Sequence, residues 1–275
     1  MSHSRALIVG PGGLHGAYGA GVLSVLGRKL EPDYFHTVYA CSVGVLTATF
    51  FVAKQPDTIE NTWRHLVSDR QLVNFLNPLF GKEIMDLEYL IGIFSDDRSR
   101  LDTHTAFNSP TKLVYNLTNY RNGKAVYISP HENNWQVLMK ASCALPVINQ
   151  PIVVGLERYI DGGAADPLPL DKALFDGHDE LVIIINRDKY AYAGNRFNLS
   201  WLASWVTPAP ISRLLKNDIQ RKRHIIERAT SDIRCRIIRP SKKSPLKSLF
   251  DTDKRHLNGI IDLGKQDAEA FLRIL

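Results

Sequence analysis

Apolar positions along the chain follow two spacings, which predict strands and helices that alternate. Residues 6–9 and 37–40 are short runs of apolar, β-branched and aromatic side chains, which is typical of buried strands. Each run leads into a segment with helical spacing, at about 16–30 and from about 43, and a further strand is predicted at 180–186. This alternation predicts an α/β fold with a mostly parallel central sheet.

The rest of the chain supplies further elements. Residues 112–118 and 125–128 are predicted to form a hairpin around Asn122-Gly123, a favoured turn pair. The other predicted elements are helices near 57–66, 84–94, 135–143, 169–176, 211–230 and 256–274 and strands at 151–160 and 233–238. Because no internal repeat or long linker divides the chain, we expect a single domain, with a core over residues 5–190 and a helical, basic C-terminal extension over residues 191–275 packed on it.

Positive charge is concentrated in one part of the sequence. The 275 residues carry a formal net charge of +6. Residues 213–247 hold 12 Lys and Arg against 3 Asp and Glu, so that the rest of the chain has a net charge of −3. The basic segment follows Trp201–Val206, and aromatic anchors beside cations favour an anionic membrane surface. The alternative is that the tryptophans are core residues and the charges a solvated face. No nucleic-acid motif accompanies the charge, so nucleic acid is disfavoured.

Targeting signals and cysteine pairs are not recognisable in the sequence. No apolar stretch approaches about 18 residues, and the run before Gly10 is too short for a signal peptide. We therefore expect a cytoplasmic protein, and peripheral contact with a membrane stays open. The three cysteines, Cys41, Cys143 and Cys235, fit neither a disulfide framework nor a zinc site. We expect buried thiols, no metal and no cofactor, while the oligomeric state stays open.

A lone hydroxyl stands between the second strand and the second helix. Residues 39–45 read Tyr-Ala-Cys-Ser-Val-Gly-Val. A sharp strand-to-helix turn would carry Ser42 at its apex, with the small residues Ala40 and Gly44 beside it. The alternative is a serine that caps the N-terminus of the helix.

A glycine-rich loop follows the first strand. It reads Gly10-Pro11-Gly12-Gly13-Leu14-His15-Gly16 and opens the first helix. Unpaired N–H groups at such a position can bind an anion or a developing oxyanion. A dinucleotide site is a weaker alternative, because His15 stands where its third glycine belongs and the second strand does not end in an acidic residue. A tight glycine turn without a ligand is the other alternative.

A third motif ends an apolar strand further along. Asp161 is followed by Gly162 and Gly163, a pattern in which the carboxylate sits at a sharp turn. Taken alone, such an Asp is an ordinary turn residue. Together, the three motifs bring a nucleophile, a carboxylate and an anion cradle to strand ends, where α/β sheets collect their sites.

In order and spacing these motifs resemble those of the patatin-like phospholipases, whose signatures are a G-G-G-x-[RK]-G loop, a G-x-S-x-G elbow and an Asp-Gly-[GA] motif. Residues 141–146 are similar to the family segment before the Asp strand, and the resemblance spans residues 5–190. It implies a three-layer α/β/α patatin-like fold and a serine acyl hydrolase that cleaves ester bonds of phospholipids or related lipids.

The resemblance also implies roles for single residues. Ser42 would be the nucleophile and Asp161 its proton acceptor, and the backbone of Gly12, Gly13 and Leu14 would form the oxyanion hole. The motif positions are completed by Pro11, Gly16, Ala40, Gly44, Gly162 and Gly163.

Three residues depart from the family pattern. Pro11 replaces a loop glycine and lacks an N–H, and Ala40 adds a methyl group where the elbow has a glycine. His15 replaces the loop's Arg or Lys. With an ordinary pKa of about 6.5 it would be mostly neutral at pH 7, so we expect it to bind an anionic substrate in a pH-dependent way.

Two other functions remain open at this point. A Ser-His-Asp triad could use His178, in a turn predicted to be solvated, or His224, on a charged helix face. A non-catalytic lipid- or acyl-binding protein could keep the same pocket.

Overall fold

The computed structural model describes residues 4–67, 72–73, 83–191 and 205–275, and within these ranges the chain forms one mixed sheet with helices on both sides. The strands are β1 (Arg5–Val9), β2 (Thr37–Cys41), β3 (Lys112–Asn119), β4 (Ala125–Ile128), β5 (Ile152–Val154), β6 (Glu157–Asp161), β7 (Glu180–Ile184) and β8 (Cys235–Ile238). The helices are α1 (Gly16–Lys29), α2 (Gly44–Val52), α3 (Pro56–His65), α4 (Leu87–Gly92), α5 (Thr103–Phe107), α6 (Trp135–Cys143), α7 (Leu170–Phe175), α8 (Ala209–Lys216), α9 (Asp218–Ser231) and α10 (Lys254–Leu272).

Parallel strands make up the centre of the sheet. The strand order is β5-β6-β3-β2-β1-β7-β8, with β4 paired to β3 off this path. The strands β3, β2, β1, β7 and β8 run parallel, whereas β4 and β6 pair with β3 in the antiparallel sense and β5 does so with β6. Val9 lies opposite both Ala40 and Ile184, so the strands β1, β2 and β7 end at one edge of the sheet. The predicted mostly parallel sheet is confirmed.

Both faces of the central strands are buried, which explains their continuous apolar runs. Leu7 and Val9 of β1 belong to a large core together with residues of α1, α2 and α10. Ala6 and Ile8 point the other way, into a smaller core that includes residues of α7 and α9. Because strand side chains alternate between faces, this division gives the three α/β/α layers that the resemblance implied.

Two predicted elements are each divided in two. The strand predicted at 151–160 is the hairpin of β5 and β6, and it turns at Gly155, whose φ of 61° lies in the left-handed region that favours glycine. The helix predicted at 211–230 is the pair α8 and α9, because the chain turns at Asn217 between them. Helical periodicity continues across that turn, so the sequence pattern alone does not reveal the break.

The last third of the chain joins the same sheet and core. The strand β8 extends the parallel sheet next to β7, and α10 packs against α1, where the Tyr18 hydroxyl donates to Asp267 Oδ2 at 3.0 Å. The division at residues 190 and 191 stays a prediction.

Glycines allow α1 and α10 to touch through their backbones. A Cβ atom on Gly21 would lie 2.1 Å from the carbonyl oxygen of Ile261, and one on Gly264 would lie 2.2 Å from that of Tyr18. Neither neighbour is the end of a flexible side chain, so the helices would have to move apart to admit a methyl group.

We expect Gly264→Ala to lower the free energy of unfolding by about 1–3 kcal/mol, because it overpacks this crossing. The matched control is Gly259→Ala in the same helix, where the nearest atom to a Cβ is Pro245 Cγ at 3.7 Å. We expect Gly259→Ala to leave the free energy of unfolding unchanged or to raise it by up to about 1 kcal/mol, because alanine has the higher helix propensity. Urea unfolding of the three proteins checks this, and equal midpoints for both variants would contradict the close packing.

Candidate active site

Ser42 lies at the apex of the turn between β2 and α2. Its φ of 56° is in the left-handed region, which is strained for a serine. Gly44 makes the turn possible, because a Cβ there would lie 2.7 Å from the carbonyl oxygen of Val9. The Ser42 side chain is 5% exposed and does not cap α2, which begins without a side-chain cap bond. The helix-cap alternative is therefore wrong.

Asp161 contacts the serine directly. The Ser42 Oγ atom donates a hydrogen bond to Asp161 Oδ2 at 2.5 Å, and the other carboxylate oxygen accepts the Gly163 amide at 2.7 Å. The Asp161 backbone is held as well, since its N–H donates to Ala144 and its carbonyl accepts from the Thr118 hydroxyl, both at 2.8 Å. Both carboxylate oxygens thus accept hydrogen bonds in a fixed orientation.

Burial changes the proton affinity of this carboxyl group. Asp161 is 3% exposed, and desolvation raises its pKa to about 6, although the hydrogen bonds from Ser42 and Gly163 act in the opposite direction. At neutral pH the group is mostly a carboxylate with a raised affinity for a proton. This combination suits a general base.

A second serine, Ser142, holds the turn, and the sequence motifs indicate no role for it. The Ser142 hydroxyl accepts the Ser42 backbone N–H at 3.1 Å and donates to the carbonyl of Asn116 at 2.8 Å. Ser142 is fully buried at the C-terminal end of α6. The sequence feature that could have indicated Ser142 is its position as a hydroxyl residue in an apolar helical stretch, shortly before the hairpin that carries Asp161.

The glycine-rich loop faces the same cavity as Ser42. Among the described residues, no acceptor is hydrogen-bonded to the amides of Gly12 and Gly13, and both glycines line the cavity. Gly13 has φ 55°, a conformation that glycine adopts without strain. The loop is fixed by Asn186, whose amide donates to the Gly10 carbonyl at 2.6 Å and accepts from the Gly19 N–H at 3.0 Å. Asn186 was also missed, because it follows the β7 run outside the three motifs.

The structure corrects the predicted oxyanion hole at Leu14. The Leu14 N–H donates to the carbonyl oxygen of Leu249 at 2.8 Å, so this amide is engaged by the segment that precedes α10. Sequence patterns could not reveal this contact, since the two residues are far apart in the chain. Gly12 and Gly13 remain as candidate donors.

The other motif positions are packing contacts around the site. Pro11 lines the cavity, and a Cβ on Gly163 would lie 3.4 Å from its ring. Ala40 is fully buried in β2, inside the large core, so its methyl group fills space in the sheet instead of crowding the turn. The α1 and α2 helices meet at Gly16, where a Cβ would lie 2.7 Å from Val43 Cγ1. The same constraint holds at Gly162, where a Cβ would lie 2.2 Å from the carbonyl oxygen of Asn116.

His15 does not line the cavities around Ser42, contrary to the position that its predicted role in substrate binding implies. It is 4% exposed, it lines a neighbouring cavity instead of the one around Ser42, and its Nδ1 is 3.3 Å from the Ser244 hydroxyl. Burial, and then the charge of Arg187, lower its pKa to about 4. His15 is therefore neutral near pH 7, as predicted, whereas its pH-dependent contact with an anionic substrate stays a prediction.

Neither histidine of the alternative triad lines the cavities around Ser42. His178 is only 7% exposed, contrary to the predicted solvated turn, and its Nδ1 contacts the Ser4 hydroxyl at 2.8 Å. It precedes β7, at the opposite edge of the sheet from Ser42, which follows β2. His224 is exposed on α9, two residues from Lys222, which faces the cavity, and so it points away from the site.

Ser42 lies where two cavities of different character meet. One is a narrow apolar pocket whose walls include Val73, Met85, Leu90, Leu145 and Phe250. The other has a volume of about 480 Å³ and is lined by the glycine loop, Asp161 and four further charged residues: Arg187, Asp218, Lys222 and Lys247. Gly13 and Leu249 line both, so the serine hydroxyl stands between an apolar and a polar compartment.

The predicted membrane-facing segment is only partly described. Residues 201–204 lie outside the described ranges, whereas Trp205 and Val206 are 80% and 69% exposed. The basic run at 221–223 does not form one solvated face, because Arg221 donates to the carbonyl oxygens of Ala164 and Ala165 at 2.8 and 3.0 Å. In the part of the chain that the structure describes, no helix has the length and apolar character to cross a membrane, and no group of side chains could hold a metal ion.

Comparison with known proteins identifies a matching family model and similar proteins, two of which are described below. A family model described as patatin-like phospholipase matches residues 7–174. YjjU of Escherichia coli K12, described as an uncharacterized protein, is 27% identical over 183 residues, which are 65% of this chain and 51% of YjjU. The chain thus spans about half the length of this curated relative. The crystal structure of VipD from Legionella pneumophila has a TM-score of 0.49 and 13% identity over 98% of this chain and 67% of that chain, which is too distant to carry an argument.

Ser142→Ala should lower the free energy of unfolding by about 1–3 kcal/mol, because the buried Ser42 amide loses its acceptor. The control is Ser24→Ala, which removes a fully buried hydroxyl that only donates to Gly21 within α1. Chemical denaturation should show a clearly smaller loss for the control. Equal losses would mean that the Ser142 contact is not special to the turn.

We expect His15 to reduce stability in acid. Its folded pKa of about 4 lies below the ordinary 6.5, so the unfolded chain binds a proton between these values that the folded chain does not. Stability is therefore lost as pH falls from 6.5 to 4. Asp161 has the opposite effect, because its raised pKa lets the folded chain bind a proton first.

The difference between wild type and His15→Gln isolates the histidine, because the Asp161 contribution is common to both. Relative to the variant, wild type should lose about 2–3 kcal/mol between pH 6.5 and 4. Denaturation midpoints measured across this range check it. Parallel stability curves would show that the fold does not keep His15 neutral.

Proposed function

This chain belongs to the patatin-like phospholipase family, and we propose that it is a serine acyl hydrolase that cleaves carboxylic ester bonds of phospholipids or related lipids through Ser42 and Asp161. The observation that carries the proposal is the 2.5 Å hydrogen bond between Ser42 Oγ and Asp161 Oδ2. Neither cavity around the serine has a histidine in its described walls. The carboxylate is therefore the candidate base in contact with the nucleophile.

In the first half of the proposed reaction, Ser42 Oγ attacks the ester carbonyl carbon while Asp161 Oδ2 takes its proton. The amides of Gly12 and Gly13 donate to the oxyanion of the tetrahedral intermediate, and one such donor is worth about 3 kcal/mol of transition-state stabilisation. The carbon–oxygen bond to the alcohol then breaks, and Asp161 returns the proton to the departing oxygen.

In the second half, a water molecule takes the place of the alcohol. Asp161 accepts a proton from this water as its oxygen attacks the acyl-enzyme carbonyl, and the proton returns to Ser42 when the acid leaves. The raised pKa of Asp161 supports both directions of transfer, because a group with a pKa of about 6 binds and releases a proton near neutral pH more readily than an ordinary aspartate.

The two compartments support a lipid ester as substrate. The apolar pocket beside Ser42 suits an acyl chain, since burying hydrocarbon there removes it from water. The larger charged cavity suits the alcohol side of the ester, where a phospholipid carries its phosphate. A lipid ester bond bound at their junction would present its carbonyl carbon to Ser42.

We also propose that the protein works in the cytoplasm and reaches its substrate at an anionic membrane surface. The exposed Trp205 and Val206 support contact with the interfacial region, where aromatic and aliphatic side chains are favourable. Vesicle sedimentation should then show more binding to anionic than to neutral vesicles.

We expect Ser42→Ala and Asp161→Asn each to reduce hydrolysis of a soluble ester close to background. The double variant should be little worse than either single variant, because residues that act as a unit are not additive. For wild type, kcat/KM should fall as pH decreases through about 6, since protonated Asp161 cannot accept the serine proton.

The control for general effects of substitution is His224→Ala, which changes the exposed histidine of the alternative triad and should stay active. His178→Gln tests the buried one. A folded Asp161→Asn protein with most of its activity, or a folded histidine variant without activity, would contradict the Ser-Asp mechanism. The non-catalytic binder would be favoured if wild type hydrolysed none of many esters, or if the hydrolysis that is observed did not depend on Ser42.

A further inference from the structure

The charged residues around Ser42 come mostly from outside the part of the chain that matches the family model. That match ends at residue 174, whereas Arg187 follows β7, Lys222 lies on α9 and Lys247 lies in the segment before α10. The described walls of the cavity also contain two carboxylates, Asp161 and Asp218. The C-terminal third of the chain therefore contributes the three cations of the polar compartment, and these outnumber the two acids in its described walls.

Both carboxylates of the cavity already have partners. Asp161 accepts hydrogen bonds from Ser42 and Gly163. Asp218 binds Lys222 Nζ through Oδ2 at 2.8 Å, with both side chains about one fifth exposed. Both side chains of this ion pair are partly exposed and line the cavity, so a ligand phosphate can approach the Lys222 ammonium group there. A cationic part of a ligand would find no carboxylate in the described walls that is not already engaged.

The neighbouring cavity that His15 lines continues the positive surface away from the serine. It has a volume of about 500 Å³ and shares Arg187, Ala191 and Lys247 with the polar cavity at Ser42, and its wall adds Lys243. The acid in this wall is Asp188, which is 7% exposed and accepts the amides of Ser244 and Tyr190 at 2.8 and 2.9 Å. The path from Ser42 along the polar side thus leads towards exposed lysines.

We propose that Lys222 and Lys247 bind the phosphate of the head group and disfavour a cation beside it, so that the protein prefers phospholipids with a net negative head group over zwitterionic ones. The inference rests on the proposed hydrolysis at Ser42 and names its substrate class. It follows from the positions: the acyl chain enters the apolar pocket, the carbonyl meets Ser42, and the phosphate extends among the lysines. Ammonium groups hold phosphate oxygens by charge-assisted hydrogen bonds.

The test compares dihexanoyl phosphatidylglycerol with dihexanoyl phosphatidylcholine, both dissolved as monomers so that recruitment to a charged surface plays no part. A hexanoyl nitrophenyl ester serves as the uncharged substrate, and all assays run at about pH 8, where Asp161 is ionised. We expect wild type to have a kcat/KM about tenfold higher for the glycerol head group than for choline, because both carry the phosphate but choline adds a cation that the cationic wall repels.

Lys222→Gln and Lys247→Gln should each lower this ratio several-fold and change hydrolysis of the uncharged ester much less. Lys222→Arg should keep most of the preference, because it keeps the charge. The matched control is Lys242→Gln, an exposed lysine that lines neither cavity and should leave the ratio unchanged. A wild-type ratio near one, or a ratio that neither Gln variant changes, overturns the head-group site.

Two further arms separate the possible failures. Uncharged-ester hydrolysis that depends on Ser42 but comes without head-group preference leaves the proposed function intact and removes this inference. Hydrolysis of no ester in a Ser42-dependent way removes the proposed function itself. Inorganic phosphate added to the uncharged-ester assay should inhibit only weakly. Strong inhibition that disappears in Lys222→Gln, without any head-group preference, would assign the site to free phosphate and contradict the lipid proposal.

Discussion

The hydrogen bond between Ser42 and Asp161 depends on the strand β3, which lies between β2 and β6 and sets the distance between them. The strand β3 pairs with β2 through Cys41 and Asn116, and with β6 through Leu117 and Asp161. Asn116 and Leu117 are consecutive in β3, and they fix the positions of Cys41, which precedes Ser42, and of Asp161. Ser142 completes the arrangement, because it joins the Ser42 amide to the Asn116 carbonyl. A shift of either neighbouring strand would separate the two side chains.

Close approach of backbone segments explains the glycines around this pair better than catalysis does. Gly44 and Gly162 lie where a Cβ would overlap the carbonyl oxygen of Val9 and of Asn116. These contacts let the elbow and the Asp161 turn reach the same edge of the sheet. The strain at Ser42, with its left-handed φ, is held by this surrounding packing. Burial then gives the carboxyl group a pKa of about 6, so that the same packing also sets the proton affinity of the candidate base.

The sequence predicts what is local and periodic. The alternation of apolar runs predicts the α/β layers and the parallel strands, and the three motifs indicate Ser42, Asp161 and the Gly12-Gly13 turn. The sequence does not predict contacts between segments that are far apart along the chain. The Leu14 amide is engaged by Leu249, and the ring of His15 lies in a neighbouring cavity beside Ser244. Ser142 and Asn186 act through hydrogen bonds to residues about 100 and 176 positions away, which no periodicity reveals.

The central claim is that Asp161 activates Ser42 without a histidine. The most direct measurement is the rate at which a fluorophosphonate labels the serine as a function of pH, with the modified residue located by mass spectrometry. Activation by Asp161 predicts a single label on Ser42, a rate that falls as pH decreases through about 6, and almost no labelling of folded Asp161→Asn. Labelling of Asp161→Asn at the wild-type rate, or a label on another residue, would contradict it.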